Sequence, residues 1–385
     1  MLTEHIYLDN AATTPMDGKV VEVISKEMAN DFGNASSQHA FGRKAREAVD
    51  HARDTLAQSI NAKPDDIIFT SGGSESNNTA IFGTVRTRSD VGKKIITTKI
   101  EHPSVLNPMK RLEEEGYEVI YLDVDESGHI SLDQLKEELT PDTILVSIMA
   151  VNNEVGSIMP LEEIGRLVAP TNAYFHVDNV QGYGNIEVDV EKMHIDLLST
   201  SAHKINGPKF LGFLYERDGI NVSNLLLGGE QEKKRRPGTE NVPAIAGFGV
   251  AVDEESKIDK QKLQAKYSQL QQIILNNLDD AKIEYEINGA ITGNVSHHVL
   301  NLWLKGVNTY SALTNLDLAG FAVSGGSACT AGSLTPSHVL MAMYGEDSPR
   351  IAESIRISFG RFTTEDDVVK FSQALVKMCQ RLTDK

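Results

Sequence analysis

Between about Lys63 and Tyr215 the sequence alternates short β-rich runs with helical patterns, and no other feature narrows the possible folds as far. The runs are "DDIIFTSGG", "KKIITTKIEHPS", "YEVIYLDVD", "TILVSIMAVNNE", "AYFHVDNVQ" and "HIDLLSTSAHK", with helical patterns such as "SVLNPMKRLEEEG" and "PLEEIGRLVAP" between them. Strands this continuously apolar must be covered on both faces. That predicts an α/β fold around a parallel or mostly parallel sheet. Several runs close on polar residues: Ser71, His102, Asn153, Asp178 and His203. Ligands of open α/β sheets sit at the carboxyl ends of the strands, so these polar ends mark the expected site.

Near Val250 the pattern changes. "DEESKIDKQKLQAKYSQLQQIILNNLDD" reads as one long amphipathic helix leading to a second unit, and "SHHVLNLWLKG", "GFAVSGG" and "SIRISFGRFTTEDDVVKFSQALVKMCQ" read as strands followed by a terminal helix. The N-terminal "IYLDNAATTP" reads as a surface-crossing arm. The expected division is a large domain over 15–255 and a smaller α+β domain formed by 1–14 and 256–385, a plan that suits 385 residues. No run of eighteen apolar residues occurs and the start lacks a signal-peptide core, so a cytoplasmic protein off the membrane is expected. Two cysteines do not make a disulfide framework. A net charge of −17 opposes direct nucleic-acid binding.

Asp178 in "HVDNVQ" ends one strand, and Lys204 in "STSAHKINGPK" follows the next, 26 positions later. Pyridoxal phosphate chemistry needs both types: a lysine to hold the aldehyde and a carboxylate to keep the pyridine nitrogen protonated. Ser201 and His203 stand where donors to a phosphate are wanted. "TSGGSESNN" follows a strand and opens a helix. Gly72 and Gly73 permit close backbone approach, Ser74 adds a hydroxyl, and the helix N-terminus favours an anion. It is neither a dinucleotide nor a Walker motif. His102 could stack on a flat cofactor and shuttle protons near neutral pH as a catalytic residue, Asn153 and Gln181 could donate to a phenolate oxygen, and Arg356 could fork a substrate carboxylate. "QEKKRRPGTENV" is a basic cluster in an acidic chain, with Thr239 a candidate phosphate donor to a neighbouring subunit. Cys379 lies on an apolar helical stripe and reads as a packed thiol. Cys329, in "AVSGGSACTAGS", has no such stripe. Its glycine- and serine-rich surroundings are those of a reactive cysteine on a mobile loop, about 324–336.

Together these motifs resemble the cysteine desulfurases of the iron–sulfur cluster assembly and nitrogen-fixation kind, within the class V aminotransferase group of fold-type I pyridoxal-phosphate enzymes. The resemblance runs from "YLDNAATTP" through "GNASSQHAFGRKAR", "TSGGSESNN", "EHPSV", "NNEVG", "HVDNVQ", "SAHKINGPK", "RRPGTENV" and "GSACTAGS" to "IRISFGRF". It implies that Lys204 carries the cofactor as a Schiff base and moves protons at Cα. Asp178 would pair with the ring nitrogen and Gln181 with the ring oxygen, with His102 stacked on one ring face and Val180 on the other. Ser74, Ser201 and His203, beside Gly73, would hold the phosphate, and Thr239 would reach it from the second subunit of a homodimer. Arg356, Asn34 and Asn153 would orient the carboxylate of L-cysteine. Cys329 would take the sulfur as a persulfide, and an iron–sulfur scaffold or a tRNA-thiolating enzyme would receive it. Cys329 and Arg356 are 27 positions apart, which resembles the long-loop group. No metal is implied. The alternative is another reaction on the same fold and cofactor, such as that of a selenocysteine lyase or an aminotransferase. Ala35, Asn179, Phe210 and Glu230 depart from the family pattern, and none removes a catalytic group.

Overall fold

The computed structural model describes residues 5–325 and 336–383; Cys329 and most of its expected loop lie outside them. In chain order the strands are β1 (Ile6–Tyr7), β2 (Ile67–Thr70), β3 (Lys94–Thr98), β4 (Glu118–Leu122), β5 (Thr143–Met149), β6 (Tyr174–Asp178), β7 (Leu197–Ser199), β8 (Gly212–Glu216), β9 (Tyr285–Ile287), β10 (Val299–Leu304), β11 (Phe321–Ala322) and β12 (Ser354–Ser358). The helices are α1 (Gly18–Asn30), α2 (Ala40–Gln58), α3 (Gly73–Arg88), α4 (Pro103–Glu114), α5 (Leu132–Glu138), α6 (Leu161–Val168), α7 (Val242–Ser256), α8 (Lys260–Asp280), α9 (Thr309–Leu318), α10 (His338–Tyr344), α11 (Arg350–Glu353) and α12 (Glu365–Thr383).

Among the described residues the main sheet has seven strands in the order β2-β8-β7-β6-β5-β3-β4. Only β8 runs against its neighbours, β2 and β7; the other pairings are parallel. Every residue of β5 is buried, Thr143 and Ser147 included, as a central strand covered on both faces requires. The register sets Asp178 opposite Met149 on one side and Ser199 on the other, so three strand ends meet at one point. A second, antiparallel sheet has the order β12-β10-β9, and β1 pairs with β11. The apolar residues form two main cores. One runs from Val20 to Val252 and takes in Val339, Leu340 and Met343 of α10; the other joins Leu8 to residues from Leu263 to Cys379.

Two expectations need correction. The long helix is two helices, α7 and α8: the carboxylate of Asp259 accepts from the N–H groups of Gln261 and Lys262 and starts a new helix there. Nor is the N-terminal stretch a surface arm. Leu8 is fully buried in the second core, its N–H donates to the Ala322 carbonyl, and the Ala11 N–H donates to Ser358 Oγ at 2.8 Å. Backbone pairing to the second sheet draws this segment inward. Cys379 is buried among Phe371, Leu375 and Met378, and burial pushes its thiol up to about 12, so it is an inert packing residue. No described helix is long and apolar enough to cross a membrane.

Candidate functional site

A cavity of about 290 Å³ opens at the carboxyl ends of β2, β3, β5, β6 and β7, closed from the other side by Ala11, Ala12, His338 and Arg356. The turn after β2 builds one end. Gly72 has φ +140°, a backbone that side-chain-bearing residues rarely adopt, and a Cβ on Gly73 would sit 2.6 Å from Val180 Cγ2. Helix α3 starts here without a side-chain cap, so its first N–H groups and positive dipole end face the cavity beside Ser74, Ser201 and His203. Burial, with Lys204 and Lys209 adding to it, lowers His203 to about 4, so its ring is neutral at pH 7.

Asp178 ends β6 and is buried. Its Oδ2 accepts from Asn77 Nδ2 at 2.8 Å and its Oδ1 from the Val180 N–H at 3.0 Å. Asn77 also donates to Ser104 Oγ at 2.9 Å, and Ser104 Oγ lies 2.8 Å from His102 Nδ1. The Ser104 N–H donates to the same ring nitrogen at 3.1 Å, so Nδ1 accepts and the proton sits on Nε2. Burial lowers the pKa of His102, Lys204 lowers it further and Asp178 opposes them; the ring is neutral. His102 therefore caps α4 and faces the cavity at once.

Lys204 follows β7 in a single 3₁₀ turn, and its Nζ donates to the carbonyls of Ala11 at 2.5 Å and Ala12 at 2.8 Å. Gln181 Nε2 donates to the Ala11 carbonyl at 2.8 Å. Arg356 is 1% exposed; Nη2 donates to Asp9 Oδ1 at 2.8 Å and Nη1 to the Asn153 carbonyl at 3.0 Å. Asn34 and Thr239 lie apart from the cavity and are exposed, Asn34 accepting from the Ser36 N–H in its own turn. Asn77, Ser104, Glu154, His338 and the two alanines belong to the wall but escaped sequence reasoning. For His338 there was a signal: Ser337 before "HVLMAMY" is an N-cap pattern, and Ser337 Oγ does accept from the Leu340 N–H.

The donor set fits pyridoxal phosphate. An uncapped helix start with two hydroxyls suits a phosphate, a buried and doubly hydrogen-bonded carboxylate suits a protonated ring nitrogen, and the Lys204 amine lines the same cavity. A Cβ at Gly73 would fill the cradle.

The family model for aminotransferase class-V matches residues 6–371. A Bacillus subtilis (strain 168) protein named "Putative cysteine desulfurase IscS 1" is 50% identical over 380 residues, 99% of this chain and 100% of that one. Among solved structures, "NIFS-LIKE PROTEIN" superposes with TM-score 0.89 at 34% identity, covering 97% of this chain and 98% of that one. "SspA in complex with cysteine" superposes with TM-score 0.81 at 35% identity, covering 93% and 99%. With a family match over most of its length and half its residues identical to a full-length relative, the chain belongs to the aminotransferase class-V family, and its cofactor is pyridoxal phosphate.

Proposed function

We propose that this protein is a cysteine desulfurase: it moves the sulfur of L-cysteine onto Cys329 and releases L-alanine. The observation that carries this is the attachment of both described flanks of Cys329 to the cavity wall. Ser324 and Arg356 exchange backbone hydrogen bonds of 3.1 and 2.6 Å, and Ser337 Oγ donates to Glu154, beside His338 in the same wall. With Ser324 and Ser337 tied to that wall, the Cys329 thiol between them in sequence would meet substrate over Lys204 and Asp178.

Pyridoxal phosphate, when bound, supplies the electron sink for charge at the substrate Cα. Asp178, oriented by Asn77 and the Val180 N–H, would keep the ring nitrogen protonated. Lys204 would hold the cofactor and carry the proton at Cα, leaving the Ala11 and Ala12 carbonyls. Gln181 would serve the ring oxygen, and the neutral imidazole of His102 would stack on the ring opposite Val180. Arg356 would exchange Asp9 for the substrate carboxylate, with Asn153 beside it and Asn34 closing from its loop. The Cys329 thiolate attacks the substrate sulfur. An S–S bond forms, the C–S bond breaks, and its electron pair stays with the three-carbon fragment, which leaves as alanine after protonation.

Thr239, exposed and remote from its own cavity, would hold the phosphate of a second copy, making a homodimer. A protein acceptor, an iron–sulfur scaffold or a tRNA-thiolating enzyme, would take the persulfide sulfur in the cytoplasm. The division into 15–255 against 1–14 with 256–385 is supported by the two cores, Leu8 packing with the second, although α10 packs on the first. The test is Cys329→Ala. The variant should keep the visible colour of the lysine-linked cofactor and lose alanine formation from L-cysteine. Alanine at the wild-type rate would sink the assignment, because the C–S bond would then break without the Cys329 thiol.

A further inference from the structure

The basic stretch "QEKKRRPGTENV" has no part in the cavity of its own chain. It is not a free cationic patch either, because Lys233 pairs with Asp65, Lys234 with Glu230 and Arg236 with Glu75. Its backbone is strained. Glu232, Lys233 and Lys234 have φ of 48°, 56° and 70°, three successive non-glycine residues in the left-handed region. Such a conformation persists only where its surroundings enforce it.

The enforcement comes from one face of α2. Arg53 grips Glu232 with two parallel bonds, Nη1 to Oε2 at 2.8 Å and Nη2 to Oε1 at 2.7 Å, with side chains 13% and 3% exposed. The Phe69 N–H donates to the same carboxylate at 3.0 Å, and Arg53 Nη1 also donates to the Ile67 carbonyl at 2.6 Å. Seven residues earlier, on the same helical face, Arg46 Nη2 donates to Glu240 Oε1 at 3.3 Å, and the Glu240 side chain is 3% exposed. Two buried carboxylates therefore fix the loop at 232 and at 240. Thr239, exposed, adjoins the second fixed point.

We propose that Arg53–Glu232 and Arg46–Glu240 are positioning pairs that hold this loop in the shape needed for Thr239 to reach the cofactor phosphate of a second copy of this chain. The proposal rests on the homodimer set out above. None of the four residues is among those that line the cavity of its own chain; they act through Thr239. Strained backbone released from its anchor relaxes, and the hydroxyl then misses its acceptor while the fold of its own chain survives.

The test uses the intact enzyme. Titrating apoenzyme with pyridoxal phosphate and following the visible band of the lysine-linked cofactor should show Glu232→Gln holding it roughly tenfold to a hundredfold more weakly, the worth of one hydrogen bond to a charged group. Glu240→Gln repeats the test at the other end should Glu232→Gln not fold. The deciding measurement is a mixed dimer of one Glu232→Gln chain and one Lys204→Ala chain. Its single lysine-bearing site belongs to the Glu232→Gln chain and faces the intact loop of the other, so wild-type cofactor affinity should return. A Thr239→Ala chain paired with Lys204→Ala is the control. Rescue of Thr239→Ala without rescue of Glu232→Gln overturns the proposal and leaves the homodimer standing. Rescue of neither removes both. Wild-type affinity in the Glu232→Gln homodimer also overturns the proposal.

Discussion

Replacing Glu101 with Gln should flatten the dependence of stability on pH. Glu101 ends the approach to His102, is fully buried, and sits with Oε1 accepting from the Met149 N–H at 3.0 Å and from Thr98 Oγ1 at 2.8 Å. Its Oε2 is buried without a hydrogen-bond partner among the described residues. Burial, opposed by those two bonds and aided by the charge of Asp178, pushes the carboxyl up to about 8. The folded state thus keeps a proton that the unfolded chain releases near 4.5. Folding takes up a proton throughout that interval, so this group's stability is fully present below pH 4.5, falls as pH rises to about 8, and is level above. At about 1.4 kcal/mol per pH unit the loss is on the order of 5 kcal/mol. Gln keeps the accepting Oε1 and does not titrate. Its amide adds an offset that does not vary with pH, so the slope is diagnostic. Denaturation of wild type and Glu101→Gln at pH 5, 7 and 9, at one ionic strength, should show the variant gaining on wild type as pH rises. Parallel curves would refute a protonated Glu101.

Two further substitutions probe the cavity. Gly73→Ala sets a Cβ 2.6 Å from Val180 Cγ2, and a shift of that wall should weaken cofactor binding by roughly tenfold, about 1.4 kcal/mol, read by titration; unchanged affinity would show that Val180 yields freely. Arg356→Gln removes the fork between Asp9 and the Asn153 carbonyl. It should raise KM for L-cysteine by roughly tenfold to a hundredfold with cofactor retained, and lower stability by about 3–5 kcal/mol because Asp9 loses its buried partner. An unchanged KM would remove Arg356 from substrate binding.

Much of the sheet was legible because buried strands need apolar stretches, and β2, β3, β5, β6 and β7 each hold one inside a buried run. Strand β8 was overlooked: it follows the Lys204 turn so closely that no helical spacer announces it. Of the polar strand ends, His102, Asn153, Asp178 and His203 converge on the cavity, whereas Ser71 is drawn off it, its N–H donating to Glu75 Oε2 at 2.7 Å. The N-terminal segment was misjudged because it contributes carbonyls, and residue types say little about where a backbone oxygen points. Asn77 and Ser104 were missed because their link between Asp178 and His102 is a matter of space, not spacing. The departures from the family pattern fare differently. Phe210 is 81% exposed at φ 58° and Glu230 is exposed against Lys234, both away from the cavity. Ala35 is buried and needs only its carbonyl, which accepts from Arg46 Nε at 3.2 Å. Asn179 is buried beside Asp178 with both amide atoms unpartnered among the described residues, and nothing in the structure explains it.

The central claim is that sulfur leaves L-cysteine for Cys329. Adding L-cysteine to the purified protein, quantifying alanine, and mapping modified peptides by mass spectrometry tests it directly. The account predicts alanine together with one added sulfur atom on the peptide that holds Cys329, and none on the peptide that holds Cys379. Bound cofactor without alanine, or alanine with an unmodified Cys329, would contradict it.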